Sequence, residues 1–356
     1  MAHSLSPPPT TAELVARFDE PSPPTVGLEE EIMVLDAGTL DLAPRAAEVL
    51  ERAGDGDGRF KPELVAAQLE IATTPCATVD DAVAQLAEGR RVLAAAAGPD
   101  LRLACAGAHP FAETEGELTP GARYEAITGE YGVIARRQLC SALQVHVAVR
   151  PAAAALDVYN ALRSYLPDLA GLAANAPFHD GRDIGLASIR PTIATLLPRQ
   201  GVPPALPSWG AYATALATLD DPAAWWWELR PHPFHGTLEI RVPDAQTTVA
   251  DARAVAAVAH ALVRWLTLRR AAGEPLQAEE TWSIEERRWC AQRHGPDHGR
   301  LRTLLEYLEE LGVDLSAARE LVEDGGPAAR LREASGGDVR RATEHLADRF
   351  LEGLAG

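Results

Sequence analysis

The chain has 356 residues and a formal net charge of −18, with 47% hydrophobic and 24% charged residues. This length and composition are typical of a soluble globular protein with a substantial core in one large domain or two. The acidity does not favour non-specific nucleic-acid binding, which needs a basic face. Without an apolar run near 18 residues or a signal-peptide pattern, the sequence predicts a cytoplasmic protein that contacts neither nucleic acid nor membrane.

The first 24 residues are rich in serine, proline and threonine. This composition is typical of a loosely held terminus, so we predict a flexible N-terminal arm over residues 1–24, with one short helix near 12–18. Residues 25–356 are predicted to form a single domain with a helical C-terminal part.

Four widely spaced cysteines form no CxxC pair, which argues against a zinc knuckle. Free and mostly buried thiols in a reducing compartment are the expectation. One lysine among many arginines, with abundant alanine, favours a bacterial source with GC-rich DNA.

The first predicted strand, residues 26–35, contains three consecutive glutamates. Because side chains alternate along a strand, Glu29 and Glu31 share one face, about 7 Å apart, while the aliphatic residues face a core. A divalent cation such as Mg²⁺ or Mn²⁺ relieves the repulsion between such carboxylates. Taken alone, the pattern also fits a solvated edge strand. Glu30 faces the apolar side and is expected to be a structural, ion-paired residue.

Three later segments alternate in the same way, and each places two polar residues on one face: Gln68 with Glu70, Gln144 with His146, and Glu239 with Arg241. Helices are predicted between these strands. Central strands of a doubly wound parallel sheet would be apolar throughout. The pattern therefore predicts an α+β fold, with a mostly antiparallel, curved sheet whose concave polar face binds ligands and whose other side is covered by helices.

The chain lacks the GxxxxGK[ST] phosphate-binding loop. If a nucleotide binds, metals and arginines must hold its phosphates.

Ten short motifs follow one another between residues 25 and about 345: GLEEE at 27–31, QLEIATTPC at 68–76, GAHP at 107–110, VHV at 145–147, NAPF at 175–178, SIR at 188–190, RPHP at 230–233, GTLEIRV at 236–242, RWCA at 288–291 and GGPAAR at 325–330. Each motif is weak alone. As an ordered set they resemble the glutamate–cysteine ligase type 2 family, carboxylate–amine ligases of the glutamine synthetase-like superfamily.

The resemblance implies an ATP-dependent ligase that requires Mg²⁺ or Mn²⁺ and forms an amide through an acyl phosphate. The expected substrates are small molecules, typically the γ-carboxylate of L-glutamate and the amine of L-cysteine. The attack of a carboxylate on a phosphate brings anions together, which metals and arginines must stabilise. A homodimer is a further possibility.

The resemblance also assigns roles to individual residues. The implied metal ligands are Glu29, Glu31, Glu63, Glu70, His146 and Glu239. The residues expected to contact the nucleotide are Arg241, Glu239 and His146, and those expected to act in catalysis are Arg241, Arg190 and His146. For Glu63, a metal ligand and a surface carboxylate are equally open.

Two residues depart from the expected family pattern. Gln144 stands where a second histidine is expected two residues before His146, and Ala148 replaces an expected glycine. Glutamine does not titrate and is a poor metal ligand. The departures favour two alternatives: a ligase of the same fold for another acid and amine in specialised metabolism, or a catalytically silent homologue that binds nucleotide or metal.

Overall fold

The computed structural model describes residues 7–54 and 58–353. Its strands are β1 (Val26–Asp36), β2 (Phe60–Pro62), β3 (Gln68–Ala72), β4 (Leu101–Ala104), β5 (Leu143–Ala148), β6 (Phe178–His179), β7 (Arg182–Asp183), β8 (Leu229–Pro231) and β9 (Thr237–Ile240). The first eight helices are α1 (Thr11–Asp19), α2 (Ala46–Ala53), α3 (Val79–Ala97), α4 (Ala122–Tyr131), α5 (Ala152–Leu162), α6 (Leu166–Ala173), α7 (Arg190–Ala194) and α8 (Trp209–Leu216). The C-terminal helices are α9 (Val249–Ala271), α10 (Thr281–His294), α11 (His298–Glu309), α12 (Ser316–Glu323), α13 (Pro327–Ser335) and α14 (Val339–Asp348).

Seven strands form one sheet in the order β2-β3-β1-β5-β9-β8, with β4 paired to the far end of β1. All of these pairings are antiparallel. The register places Glu31 opposite Glu70, and His146 opposite Glu239. The polar pairs predicted from alternation therefore lie side by side across neighbouring strands, and the predicted α+β fold with an antiparallel sheet and packed helices is confirmed.

Helices cover the apolar face of the sheet. Helix α3 packs against β1 and α9 packs against β5, while α3 and α9 also contact each other. The core includes Leu28 and Ile32 of β1, both of which are buried. Glu30 points into this core and is paired with Arg90 of α3, as expected for a structural residue.

The N-terminal segment differs from the flexible arm expected of it. Helix α1 begins with a capping box, in which Thr10 and Glu13 exchange hydrogen bonds. Its Leu14 and Phe18 are fully buried, and the Phe18 ring lies 4.7 Å from the ring of Trp209 in α8. The arm was expected from composition alone, whereas two apolar residues on one face of α1 suffice to hold it on the core. Residues 1–6 lie outside the described residues, and the division at residue 24 stays a prediction.

The chain after β9 is mostly helical. Helices α9 to α14 follow β9, in line with the helical C-terminal part that was expected. In the described part of the chain, no helix combines the length and apolarity needed to cross a membrane.

Close packing of α6 on α10 requires a glycine. A Cβ at Gly171 would lie 2.7 Å from the carbonyl oxygen of Gly295, which ends α10. Gly171→Ala is therefore expected to lower the free energy of unfolding by about 2 kcal/mol through overpacking. Gly129→Ala in α4 is the control: its Cβ meets no atom of the described residues within 4 Å, so the change is expected to be neutral or to stabilise by up to about 1 kcal/mol. Urea unfolding measures both, and equal stability of the two variants would refute the packing argument.

Candidate active site

Six side chains on the polar face form two clusters of potential metal ligands. The first is Glu29 of β1, His146 of β5 and Glu239 of β9. The second is Glu31 of β1, Glu63 after β2 and Glu70 of β3. Within each cluster, one ligand atom per residue lies within 4.8 Å of the others. Thus the structure brings together all six residues that the sequence assigned to a metal shell.

His146 links the first cluster to the rest of the sheet. Its Nδ1 lies 3.0 Å from the hydroxyl of Thr237, and its Nε2 lies 3.7 Å from a carboxylate oxygen of Glu29. Nε2 is buried and has no hydrogen-bond partner among the described residues. Burial favours the neutral ring, but the carboxylates of Glu29 and Glu239 outweigh it and raise the pKa of His146. An unpartnered imidazole nitrogen between carboxylates fits a divalent cation.

Glu239 is fully buried but is paired with two arginines. Arg230 of β8 donates to both of its carboxylate oxygens, at 2.5 and 3.2 Å. Arg241 donates to the same carboxylate from the other side. Burial acts against ionisation, yet the two guanidinium groups dominate and hold the pKa of Glu239 well below its usual range. The carboxylate is therefore ionised and is oriented towards His146.

The second cluster consists of carboxylates alone. Burial and repulsion from Glu70 and Glu31 raise the pKa of Glu63 well above its usual range. Burial and the neighbouring glutamates raise the pKa of Glu70 to about 7, although Lys61 donates to it at 3.1 Å. Three carboxylates that repel one another, of which Glu70 is buried and the other two are half-buried, are a donor set for a hard divalent cation such as Mg²⁺. The residues present thus fit a metal in both clusters.

Gln144 connects the two clusters. Its amide nitrogen donates to Glu31 at 3.0 Å, and its amide oxygen accepts a hydrogen bond from Arg241. The residue that departs from the expected histidine therefore hydrogen-bonds both to Glu31 and to Arg241. It holds Glu31 and Arg241 at fixed positions without carrying a charge.

Arg190 lies behind Arg241. Its guanidinium donates to the backbone carbonyls of Val242 at 3.2 Å and Arg241 at 2.9 Å, and its Nε has no hydrogen-bond partner in residues 7–54 and 58–353. These contacts make Arg190 a support for the end of β9. Its predicted contact with phosphate or substrate stays a prediction.

Several residues around the site were not predicted to belong to it. Arg230 belongs to the RPHP motif, and the β8–β9 hairpin places it opposite Glu239. The rings of His232 and His235 stack on each other, with ring centroids 4.0 Å apart. Both rings lie within 6 Å of the His146 ring, at 5.7 and 5.9 Å. The motif RPHP next to GTLEIRV was the signal that could have found them.

A cavity of about 390 Å³ opens beside the first cluster. Its walls include Glu29, His146, Thr237 and His235, and the N-terminal segment contributes Ser22 and Thr25.

Helix α4, which we call the strap, extends from one edge of the sheet towards the other. The hydroxyl of Tyr124 in α4 donates to the carbonyl of Pro62 in β2, at 2.6 Å. Seven residues later, the hydroxyl of Tyr131 accepts a hydrogen bond from Arg199, and its ring lies 6.1 Å from that of Trp226, shortly before β8. Because β2 and β8 are the two edges of the sheet, α4 bridges regions that the strand order separates.

Glu63→Gln separates the two interpretations of Glu63. The pKa of Glu63 is raised in the folded state, so the folded protein loses stability as the pH rises above the pKa that this carboxyl has in the unfolded chain. Removing the charge of Glu63 therefore stabilises the metal-free protein at pH 8. We expect a rise in Tm of about 2 °C with chelator present. Saturating Mg²⁺ at 100 times its Kd is expected to stabilise wild type by about 2.7 kcal/mol and the variant by much less. A surface carboxylate would show neither effect; Glu51→Gln in α2 is the control.

An antiparallel sheet whose polar face gathers carboxylates, an imidazole and arginines can hold metal ions and phosphate groups, as a carboxylate–amine ligase requires. Within it the chain belongs to the glutamate–cysteine ligase family 2, whose model matches residues 25–355. The enzyme class expected from the sequence, an ATP-dependent ligase of the glutamate–cysteine ligase type, is thereby confirmed.

Curated relatives are similar in sequence to nearly the whole chain. A protein of Rubrobacter xylanophilus, provisionally named glutamate–cysteine ligase 2-3, is 38% identical over 348 residues, covering 92% of this chain and 94% of the relative. A protein of Ruegeria pomeroyi, provisionally named glutamate–cysteine ligase 2, is 32% identical over 362 residues, with the same coverages of 92% and 94%.

Solved structures share the fold. Glutamate–cysteine ligase from Francisella tularensis, in complex with AMP, superposes with a TM-score of 0.69 at 12% identity, covering 95% of this chain and 91% of that one. A bifunctional glutathione synthetase from Pasteurella multocida gives 0.60 at 15% identity, covering 96% of this chain and 52% of that one. At these identities the likeness shows the fold alone.

Proposed function

We propose that this ligase joins the γ-carboxylate of L-glutamate to an amine such as L-cysteine, with cleavage of ATP to ADP and phosphate. The observation that carries the proposal is the pair of acidic clusters on one sheet face, with Arg241 and Gln144 between them. The Francisella tularensis structure was solved with AMP, which supports a nucleotide site in this fold. We further propose that the enzyme acts in the cytoplasm on small-molecule substrates.

Both clusters serve as metal sites in this proposal. Glu29, His146 and Glu239 hold one Mg²⁺ or Mn²⁺, and Glu31, Glu63 and Glu70 hold another. When bound, such cations neutralise the phosphate oxygens and polarise the phosphorus towards attack.

The cavity beside His146 is the proposed nucleotide pocket. Its volume of about 390 Å³ lies within the range of small-molecule sites, and Glu29 and His146 form part of its wall. A nucleotide placed there directs its terminal phosphate towards the two clusters and Arg241.

The chemistry has two displacements. An oxygen of the γ-carboxylate attacks the γ-phosphorus, the bond to the β-phosphate oxygen breaks, and ADP leaves. The amine nitrogen then attacks the acyl carbon, phosphate leaves, and the nitrogen gives up a proton. Arg241 stabilises the charge on the transferring phosphoryl group. The strap formed by α4 limits the access of water, which would otherwise hydrolyse the acyl phosphate.

The test measures ADP release by purified protein with ATP, Mg²⁺ and L-glutamate, across a panel of amines that includes L-cysteine. Glu29→Gln is the blank, and excess chelator is expected to abolish turnover until Mg²⁺ or Mn²⁺ is restored. Release that requires both glutamate and cysteine supports the proposal. If folded protein releases no ADP with any amine or acid, the proposed function is refuted.

Gln144 favours a second candidate, a ligase of the same fold for a different acid or amine. The amide binds Glu31 and Arg241 at once, so it fixes the site without the titratable ring expected there. ADP release that depends on another amine in the panel would support this candidate, and strict dependence on glutamate and cysteine would exclude it. Any turnover excludes a catalytically silent homologue, against which the complete donor sets already argue.

A further inference from the structure

Helix α1 lies outside the segment that the family model matches, yet it contacts the site. The model begins at residue 25, whereas α1 spans Thr11–Asp19. Its buried Leu14 and Phe18 fix it to the core, and it packs against α5 and α8. A segment outside the match of the family model thus has a defined position in this chain.

The contact is with the loop of the β8–β9 hairpin, residues 232–236. The guanidinium of Arg17 donates to the carbonyl of Phe234. Gly236 adopts a φ of +65°, and a Cβ there would lie 2.8 Å from the carbonyl oxygen of Arg17. Glycine is therefore needed both for the backbone conformation and for the close approach of α1.

A second arginine joins the same two segments. Arg150, after β5, donates to the carbonyl of Glu20 at 2.5 Å and to that of Gly236 at 3.3 Å. The hairpin loop is thus held from outside by two arginines, one of them carried by α1.

On its inner side, the loop presents His235 to the cavity. The His232 Nδ1 accepts hydrogen bonds from the backbone nitrogens of Phe234 and His235, at 3.2 and 3.0 Å. The His235 ring stacks on His232 with an interplanar angle of 15°, and it lines the cavity together with Ser22 and Thr25. Two walls of the cavity therefore come from the loop and from the N-terminal segment that clamps it.

We propose that α1 is a positioning element of the nucleotide site, in which Arg17 fixes the hairpin loop so that His235 contacts the base or ribose of the bound nucleotide. This inference rests on the proposed function, because it assigns the cavity beside His146 to ATP. Arg17 acts through the loop and touches no substrate. His235 supplies an aromatic surface of the kind on which bases stack.

The test compares Arg17→Ala with Arg52→Ala. Arg52 is also an exposed helix arginine, and it donates to the carbonyls of Ala96 and Ala97, remote from the sheet face. Loss of one hydrogen bond is expected to raise the KM for ATP about fivefold in Arg17→Ala, with kcat and the KM for glutamate unchanged. Arg52→Ala should match wild type, and Arg17→Lys, which keeps one donor, should recover part of the loss.

Calorimetric titration of each protein with ATP and Mg²⁺ provides a readout independent of turnover. His235→Ala is expected to weaken binding about tenfold, and His235→Phe, which keeps an aromatic face, much less. If wild type binds the nucleotide and Arg17→Ala binds it with equal affinity, this inference is overturned, whereas the proposed function is not. An equal rise in the KM for ATP and for glutamate would indicate general destabilisation and would also overturn it. Absence of nucleotide binding by wild type would overturn the proposed function as well.

Discussion

Arg90→Met is expected to lower the free energy of unfolding by about 4 kcal/mol, because it leaves the Glu30 carboxylate charged and unpaired in the core. Neither side chain has any exposed surface. The guanidinium donates to both carboxylate oxygens of Glu30, at 2.8 and 2.6 Å. Its remaining N–H groups donate to the carbonyls of Gln246, Thr247 and Phe350, at 2.8, 3.0 and 2.9 Å. All five donors of Arg90 are thus used.

The matched control is an ion pair on the same helix. Glu88 and Arg91 of α3 form a pair in which the two side chains are 56% and 42% exposed. Glu88→Gln is expected to change stability by less than about 1 kcal/mol, because surface pairs are screened by water. Urea unfolding of both variants and of Glu30→Gln measures the difference. An Arg90→Met variant as stable as Glu88→Gln would show that the buried pair does not hold the core together.

The buried pair also bears on the site. Glu30 lies between Glu29 and Glu31, which belong to different clusters on the opposite face. A slip of one residue in β1 would turn both glutamates into the core. Because Glu30 can be buried only where Arg90 meets it, the pair fixes the register of β1 and with it the positions of two proposed metal ligands.

Alternation explains why so much of the site could be predicted. The period of two residues in β1, β3, β5 and β9 is a local property. Within each strand it places the polar residue (Glu29, Glu70, His146 or Glu239) on the face opposite the apolar residues, whatever the pairing of the strands. The order of the motifs then gave the family. The antiparallel pairing of these strands turned four separate faces into one surface.

Contacts between distant parts of the chain could not be predicted in this way. Arg90 is one of two consecutive arginines on a helix, a pattern that is typical of solvent-exposed residues. In the folded chain it is hydrogen-bonded to Glu30, 60 positions earlier. The burial of α1 depends on Trp209, and Arg190 is held by backbone carbonyls that only the folded loop provides. Such partners are set by topology, which local patterns do not encode.

Arg241→Gln is expected to lower kcat/KM about 1,000-fold or more, the effect of removing an arginine that stabilises phosphoryl transfer. Arg241 donates to Glu239 of one cluster and, through Gln144, is joined to Glu31 of the other. It is therefore a cation placed between the two proposed metal sites, as is Lys61, whose Nζ lies 4.0 Å from Glu29 and 3.1 Å from Glu70. Arg241→Lys keeps the charge but loses the planar fork, so it should retain more activity than Arg241→Gln and less than wild type.

The loss must be separated from a structural effect, since Arg241→Gln also removes one partner of a buried carboxylate. Arg230 still pairs with Glu239 from the other side, so the fold is expected to survive, as thermal unfolding can check. Arg102→Gln, which breaks a surface pair with Asp348, is the control and should retain wild-type activity. If Arg241→Gln binds ATP as wild type does and loses turnover, the guanidinium acts in the transition state. If instead it keeps turnover within about tenfold, phosphoryl transfer here is stabilised by the metals alone.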